Sequence, residues 1–392
     1  MIANTNKMRV AFITNFDLQK QPSSRLGRWL SIKRIAQSLE KAGIEVIYVD
    51  RLKETQWPRH WTIRFKSFIY SKLGQRYLPE MNERILRDYA KQVEVRLRQT
   101  ECDLILCPHN AKPITYLEAK QPIILWQDAP FYSLVDTYMK NLCYETKKSI
   151  YDAEALAYKK CSKLFFSSDW AILEVKKLWQ IPSSSLKMLS YGANFESHLD
   201  RDEICTIVSQ RITNTVCNLL FIGLDWHRKG GEIILEVLQR LIKRGIETKL
   251  TIVGCQPNLP LEIEPFVNRI GFINFNLESD SKKMAQIFQD THFFIFPSQM
   301  DFSPHVINES SSFGVPVLTT NVGGIPSLIS EGENGFIFNQ QEIDGYVDVI
   351  EKYFKNKLSY KNLAINSFHY YYKNLTWDAS IQTLIAEMKA MI

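Results

Sequence analysis

The sequence is short of the features that announce many protein classes. No CxxC pair occurs among seven cysteines, at 102, 107, 143, 161, 205, 217 and 255. An odd, scattered set argues against a disulfide framework or a zinc site and suits a reducing compartment. No run approaches the roughly 18 uninterrupted apolar residues of a membrane span. The opening segment, "MIANTNKMRV", lacks the apolar core of a signal peptide. The loops "DLQKQPSSRLGRWL" and "LDWHRKGGEI", each after a strand signal, do not fit GxGxxG, and GxxxxGK[ST] is absent. A dinucleotide or P-loop site is therefore not expected. No nucleic-acid motif accompanies the charge, so nucleic acid is not an expected partner.

What is present is an ordinary globular composition, 45% apolar and 23% charged, in 392 residues. That length calls for two domains of roughly 150 to 200 residues. The net charge of +6 is uneven: residues 51–100 hold 12 Lys and Arg against 5 Asp and Glu. Aromatics interleave with that charge in "WPRHWTIRFKSFIYSKLGQRY" (57–77). The segment reads either as a solvated helix face over a few buried rings or as a surface that settles on anionic lipid.

Apolar and β-branched runs alternate with helical spacings. "KMRVAFITNF" (7–16), "IEVIYVD" (44–50), "DLILCP" (103–108), "PIILWQD" (122–128), "KLFFSS" (163–168) and "LKMLSYGA" (186–193) read as strands. A helix ending at Gly43 follows the first of them. Residues 1–195 thus predict one Rossmann-like, doubly wound α/β domain. The polar stretch 196–216 reads as a linker and hinge. The pattern restarts over 217–375 with strands at "CNLLFIG", "TKLTIVG", "RIGFI", "HFFIFPS" and "PVLTTN". A last helix, 376–392, is expected to return to the first domain. Two such halves predict a ligand cleft at the C-terminal ends of their strands.

Candidate chemistry concentrates in the second half. Arg228 and Lys229 stand between a strand end and a helix, with Gly230 and Gly231 allowing close backbone approach. Cations placed just before a helix ask for an anion. In "FPSQMDFSPHVINESSSFGVPVL" (296–318), Ser303 is expected to cap a helix over 304–313 with Pro304 at its first position. Asp301 and Glu309 then flank the N–H groups of His305 and Val306. Such a corner suits a polyhydroxylated ligand carrying a diphosphate.

Residues 217–338 resemble the donor half of family 4 retaining glycosyltransferases of the GT-B fold. The resemblance rests on "FIGLDWHRKGG", "IVG" (252–254), the stretch from Phe296 through "TTNVGGIPSLI", and "EGENGFIF". It implies that Arg228 and Lys229 hold the donor's phosphates and that Gly223 and Gly254 border the donor. It implies that Asp301, in place of the family's first glutamate, faces the transferred sugar, and that Glu309 holds the ribose. Gly323 and Gly324 match the family's Gly-Gly turn. In the first half, His109 and Asp128 occupy strand-end positions where the family puts cleft residues. Ser168, Asp169, Tyr191, Gly192 and Asn194 resemble its crevice turns or are plain turn chemistry. The implied reaction is retaining transfer from a UDP or GDP sugar to an acceptor hydroxyl, in polysaccharide or glycolipid synthesis. With two cations at the phosphates, neither a metal nor a cofactor is expected. The expected setting is cytoplasmic and peripheral to a membrane through 57–77, with a glycan or lipid-linked acceptor. Two alternatives remain: an epimerase or hydrolase of nucleotide sugars, and a catalytically silent nucleotide-sugar binder.

Overall fold

The computed structural model describes residues 7–22, 26–53, 61–195, 197–275 and 277–392. Residues 23–25 of the expected first loop, and 57–60 of the basic aromatic segment, lie outside that description. The chain forms two compact units, one running to Leu189 and including Ser380–Ile392, the other Ser190–Ala379.

The first unit contains β1 (Arg9–Ile13), α1 (Leu26–Lys41), β2 (Glu45–Val49), α2 (Trp61–Lys72), α3 (Glu83–Leu97), β3 (Leu104–Pro108), β4 (Ile123–Gln127), α4 (Tyr144–Lys160), β5 (Lys163–Phe166), α5 (Asp169–Trp179) and β6 (Leu186–Met188). Its strands pair in parallel in the order β2-β1-β3-β4-β5-β6. Every residue of β3 and β4 is buried. That is why both read as unbroken apolar runs: helices cover both faces of a parallel sheet. The sequence extends the last strand to 193, but β6 stops at Met188, and Leu189–Ala193 leave the sheet as a buried loop.

The second unit contains α6 (Arg201–Arg211), β7 (Cys217–Gly223), α7 (Gly231–Lys243), β8 (Thr248–Gly254), β9 (Val267–Gly271), α8 (Glu278–Asp290), β10 (Phe293–Phe296), α9 (His305–Ser312), β11 (Val317–Thr320), β12 (Gly335–Phe338), α10 (Ile343–Lys355) and α11 (Lys357–Asn374). A final helix, α12 (Trp377–Lys389), starts here and runs into the residues that belong to the first unit. The sheet order is β12-β11-β10-β7-β8-β9, all parallel. In β10 the side chains alternate: Phe293 and Ile295 join Leu219, Phe221 and Val237 on one face, while Phe294 and Phe296 join Leu220, Ile307 and Phe313 on the other.

The stretch expected to be a linker, 196–216, is largely helical. Asp200 accepts from the N–H groups of Asp202 and Glu203, and Glu203 accepts from the Asp200 N–H, a complete capping box at the start of α6. Its inward positions are Ile204, Val208 and Arg211. Only two of those three are apolar, so the stripe that would have marked a helix is interrupted by an arginine.

Candidate functional site and a cavity in the first unit

In open parallel sheets, ligands bind beyond the strand ends where the strand order reverses. In the second sheet that point lies between β7 and β10. The loop after β7 carries Arg228 and Lys229, and the loop after β10 carries Asp301.

The structure brings these residues together. Lys229 Nζ donates to Asp301 Oδ2, and Arg228 Nη1 lies 3.8 Å from the same oxygen. Lys229 also sits over the Phe296 ring, 4.4 Å from its centroid, with 13% of its side chain exposed. Burial pushes its ammonium below the usual lysine range, and Arg228 adds to that, while Asp301 opposes them. Gln299 N–H donates to the Arg228 carbonyl at 2.8 Å, and Arg228 Nη1 donates to the Met300 carbonyl at 3.2 Å. The two loops are thereby tied.

Glycines allow this closeness. Gly223 and Gly254 are register partners at the ends of β7 and β8, and a Cβ on Gly223 would meet Lys229 Cγ at 3.0 Å. Gly230 caps α7 in the left-handed region, φ +78°, where a Cβ would fall 2.0 Å from the Pro297 carbonyl oxygen. Gly324 N–H donates to the Asp301 carbonyl at 3.0 Å, so the Gly-Gly turn holds the backbone of the acid. Thr319 and Thr320 of β11 donate through their hydroxyls to the Phe296 and Ser298 carbonyls at 2.7 and 2.5 Å.

Two expectations change at the following helix. α9 begins at His305 with Pro304 as its N-cap and no side-chain cap, so Ser303 does not cap it. Pro304 has ψ 103°, an extended value that keeps it out of the first helical position. Glu309, expected to present its carboxylate to a ribose, is 3% exposed and accepts from the backbone N–H groups of Phe195 and Asn194. Burial raises its carboxyl to about 7 despite those bonds. Its neighbours complete the same attachment. His305 Nδ1 lies 2.8 Å from the Gly192 carbonyl, and Asn308 Nδ2 donates to the Tyr191 carbonyl at 2.7 Å. The Tyr191 ring stacks on His305, and Trp377 Nε1 donates to the Ala193 carbonyl. One face of α9 therefore holds the segment 191–195. Val306, half-buried, packs with Ile307 and Phe313.

Sequence reasoning missed Arg211. This residue is 3% exposed, and its guanidinium donates only to neutral oxygens. Four are carbonyls at the C-terminal ends of α8 and α9: Phe288, Gln289, Phe313 and Gly314. Those ends carry the negative pole of each helix dipole. His292 beside it is held neutral, pushed down to about 3 by burial and by Arg211.

In the first sheet the order reverses between β1 and β3. A cavity of about 430 Å³ opens there, lined by residues that include Asn15, Arg28, Arg76, His109, Lys112 and Asp128. His109 follows β3 in the left-handed region, φ +68°, with its N–H donating to the Trp126 carbonyl at 2.6 Å. The structure thus places His109 and Asp128 in one cavity of the first unit, and Arg228, Lys229 and Asp301 in one cluster of the second. Glu154, also on the cavity wall, had no sequence signal. It accepts from Phe131 N–H, Tyr132 N–H and Tyr158 Oη, and burial raises it to about 7. No group of three or more metal-ligating side chains occurs among the described residues.

Residues 209–369 match the family model described as glycosyl transferases group 1. An uncharacterized glycosyltransferase of Haemophilus influenzae is 27% identical over 229 residues, 55% of this chain and 58% of that protein. The capsular polysaccharide biosynthesis glycosyltransferase CapM of Staphylococcus aureus is 24% identical over 138 residues, 34% of this chain and 35% of that one. The chain spans about half the length of the curated relatives it matches, or less. Anabaena HepE, solved with UDP and glucose, superposes over 98% of this chain and 100% of its own with a TM-score of 0.61 at 14% identity. The likeness to solved structures makes this a chain of GT-B architecture, and residues 209–369 of its second unit are similar to the glycosyl transferases group 1 model.

Proposed function

We propose that the protein is a retaining glycosyltransferase that moves a sugar from a nucleoside diphosphate sugar, with UDP or GDP as the nucleotide, to an acceptor hydroxyl in polysaccharide or glycolipid synthesis. The observation that carries this reading is the part-buried cluster of Lys229, Arg228 and Asp301 at the switch point of the second sheet.

In the proposed reaction the bond from the anomeric carbon to the diphosphate oxygen breaks, and its electron pair leaves with the β-phosphate. Arg228 and Lys229 stabilise that growing charge as preorganised donors, without a metal. The acceptor oxygen bonds to the anomeric carbon on the face the diphosphate leaves. Its proton passes to the departing phosphate, so no strong protein base is required. Asp301 orients the sugar. Glu309 acts first on segment 191–195, and its remaining lone pairs are what it has to offer a ribose. His109 and Asp128 serve on the acceptor side, in the cavity of the first unit. The capsular polysaccharide role of CapM and the UDP and glucose bound to HepE support this donor and acceptor class.

The first test is a thermal-shift panel with UDP-, GDP- and ADP-sugars, since a ligand of the folded state raises its stability. Product analysis with donor alone and with donor plus lipid-linked or glycan acceptors follows. Conversion of donor alone to an epimer or free sugar would replace the transferase with an epimerase or hydrolase. Binding with no transfer to any acceptor would make the protein a binder.

A further inference from the structure

Helix α2 has two unlike faces. Ile63 is buried, Lys66 pairs with Glu145, and the Tyr70 ring stacks on Tyr77 with centroids 5.8 Å apart. This side holds the helix against the start of α4. The other side carries Trp61, Phe65, Phe68 and, one residue past the helix, Leu73, at 72%, 56%, 60% and 66% exposure. Spacings of three and four residues place the three rings in one stripe. Arg64 and Lys72 lie along it, and neither has an acid partner among the described residues. The helix contains no Asp or Glu.

We propose that this outer face of α2 is a docking surface for an anionic lipid bilayer, with the helix lying in the interface. Aromatic rings interleaved with cations on an acid-free helix match a surface that is apolar below a negative headgroup layer. A second copy of this chain is a poorer occupant. A two-fold contact through the stripe would set Arg64 and Lys72 against their own counterparts. No helix among the described residues is long and apolar enough to cross a membrane, so the contact is peripheral. The chain leaving α2 enters the cavity wall at once through Arg76, Leu78 and Met81. Docking here would bring a membrane-borne amphiphile to the acceptor-side cavity. The docking face goes beyond the transferase reading and would stand without it.

The test is co-sedimentation of the full chain with phosphatidylcholine vesicles and with mixed phosphatidylcholine–phosphatidylglycerol vesicles. The expected result is binding to the anionic vesicles only, weakened by salt. Phe65→Glu with Phe68→Glu, and separately Arg64→Glu with Lys72→Glu, should each lower the vesicle-bound to free ratio at least about tenfold. All four side chains point away from the core, so melting temperatures and donor-induced thermal shifts should stay at wild-type values. Equal binding to neutral vesicles, or unchanged binding in both double variants, overturns the proposal. So does a wild-type dimer in light scattering that the Phe65→Glu, Phe68→Glu variant makes monomeric while vesicle binding is absent; the face would then belong to a second copy. A wild-type chain that shows donor shifts but binds no anionic vesicle would strike this inference and leave the transferase reading, and one that binds the vesicles but shows no donor shift would do the opposite.

Discussion

Lys229 and Asp301 are joined by an ion pair at the point where β7 and β10 release their loops. The carboxylate stands where the phosphate of a donor would have to compete for the same ammonium. In the proposed reaction Asp301 is then both a partner for a sugar hydroxyl and a rival of the diphosphate. Asp301→Asn removes the rival charge and keeps a hydrogen-bonding side chain. Affinity for free UDP or GDP should rise about tenfold by the Coulomb term of a close, part-buried pair, while transfer slows because an amide oxygen holds the sugar hydroxyl more weakly than a carboxylate. Isothermal titration with the nucleotide, set beside the turnover rate, checks both halves.

Removing the cations should act in the other direction. Lys229→Ala or Arg228→Ala should lower kcat by about 10²-fold or more, the scale of losing one preorganised donor to a developing oxyanion. Steady-state rates on the folded variants measure it. Unchanged turnover in both would remove the proposed mechanism.

Two carboxyl groups make stability fall as pH rises. Glu154 and Glu309, in separate units, are each raised to about 7 by burial, above the ordinary glutamate value. Between about pH 4.5 and 7 the unfolded chain releases these protons and the folded chain keeps them. The folded state is therefore favoured at low pH and loses that advantage as pH climbs through 7, by about 3 kcal/mol for each group. Denaturant unfolding from pH 5 to 8 should show this slope. Glu154→Gln and Glu309→Gln should each flatten it, whatever they do to stability at one pH, and an unaltered slope in both would refute the assignment.

The strands were legible because parallel sheets buried on both faces force unbroken apolar runs, as in "LILCP" and "FFIF". The clustering of Arg228 and Lys229 with Asp301 was legible too, because the two cations and the glycines around them occupy strand ends in a distinctive order. Side chains whose role is set by distant backbone were not. Arg211 looked like a charge in a polar stretch, yet its partners lie 77 to 149 residues away. Glu309 looked like a ligand-facing acid, and only the fold places the N–H groups of Asn194 and Phe195 against it. Ser303 before Pro304 resembled a cap, but the extended proline delayed the helix by a residue.

Arg211 gives a stability prediction that ligand chemistry does not touch. Four of its five hydrogen bonds go to carbonyl groups at the ends of α8 and α9, and the fifth goes to the Tyr360 hydroxyl. Arg211→Met fits the buried volume but takes the charged donor away from those oxygens, at about 3–5 kcal/mol. Chemical denaturation should register the loss, and hydrogen exchange should rise first around Phe313 and Gly314.

Gly323 tests whether the Gly-Gly turn sets the position of Asp301. The residue has φ +52°, and a Cβ there would lie 2.1 Å from the Asp301 carbonyl oxygen. The obstacle is backbone, so it cannot swing aside as a side-chain tip would. Gly323→Ala must therefore either move the 299–303 loop or leave the left-handed region, and the backbone strain alone costs about 1–3 kcal/mol. Either route shifts the Asp301 carboxylate relative to Lys229. A displacement on the order of 1 Å at a positioning group lowers turnover by about 10²-fold. Gly332→Ala supplies the control: its φ is also positive, +75°, but a Cβ there meets nothing within 4 Å. That variant should carry the backbone strain in its melting temperature while keeping near wild-type kcat. If both variants lose turnover equally, the Gly323 contact is not what places the acid.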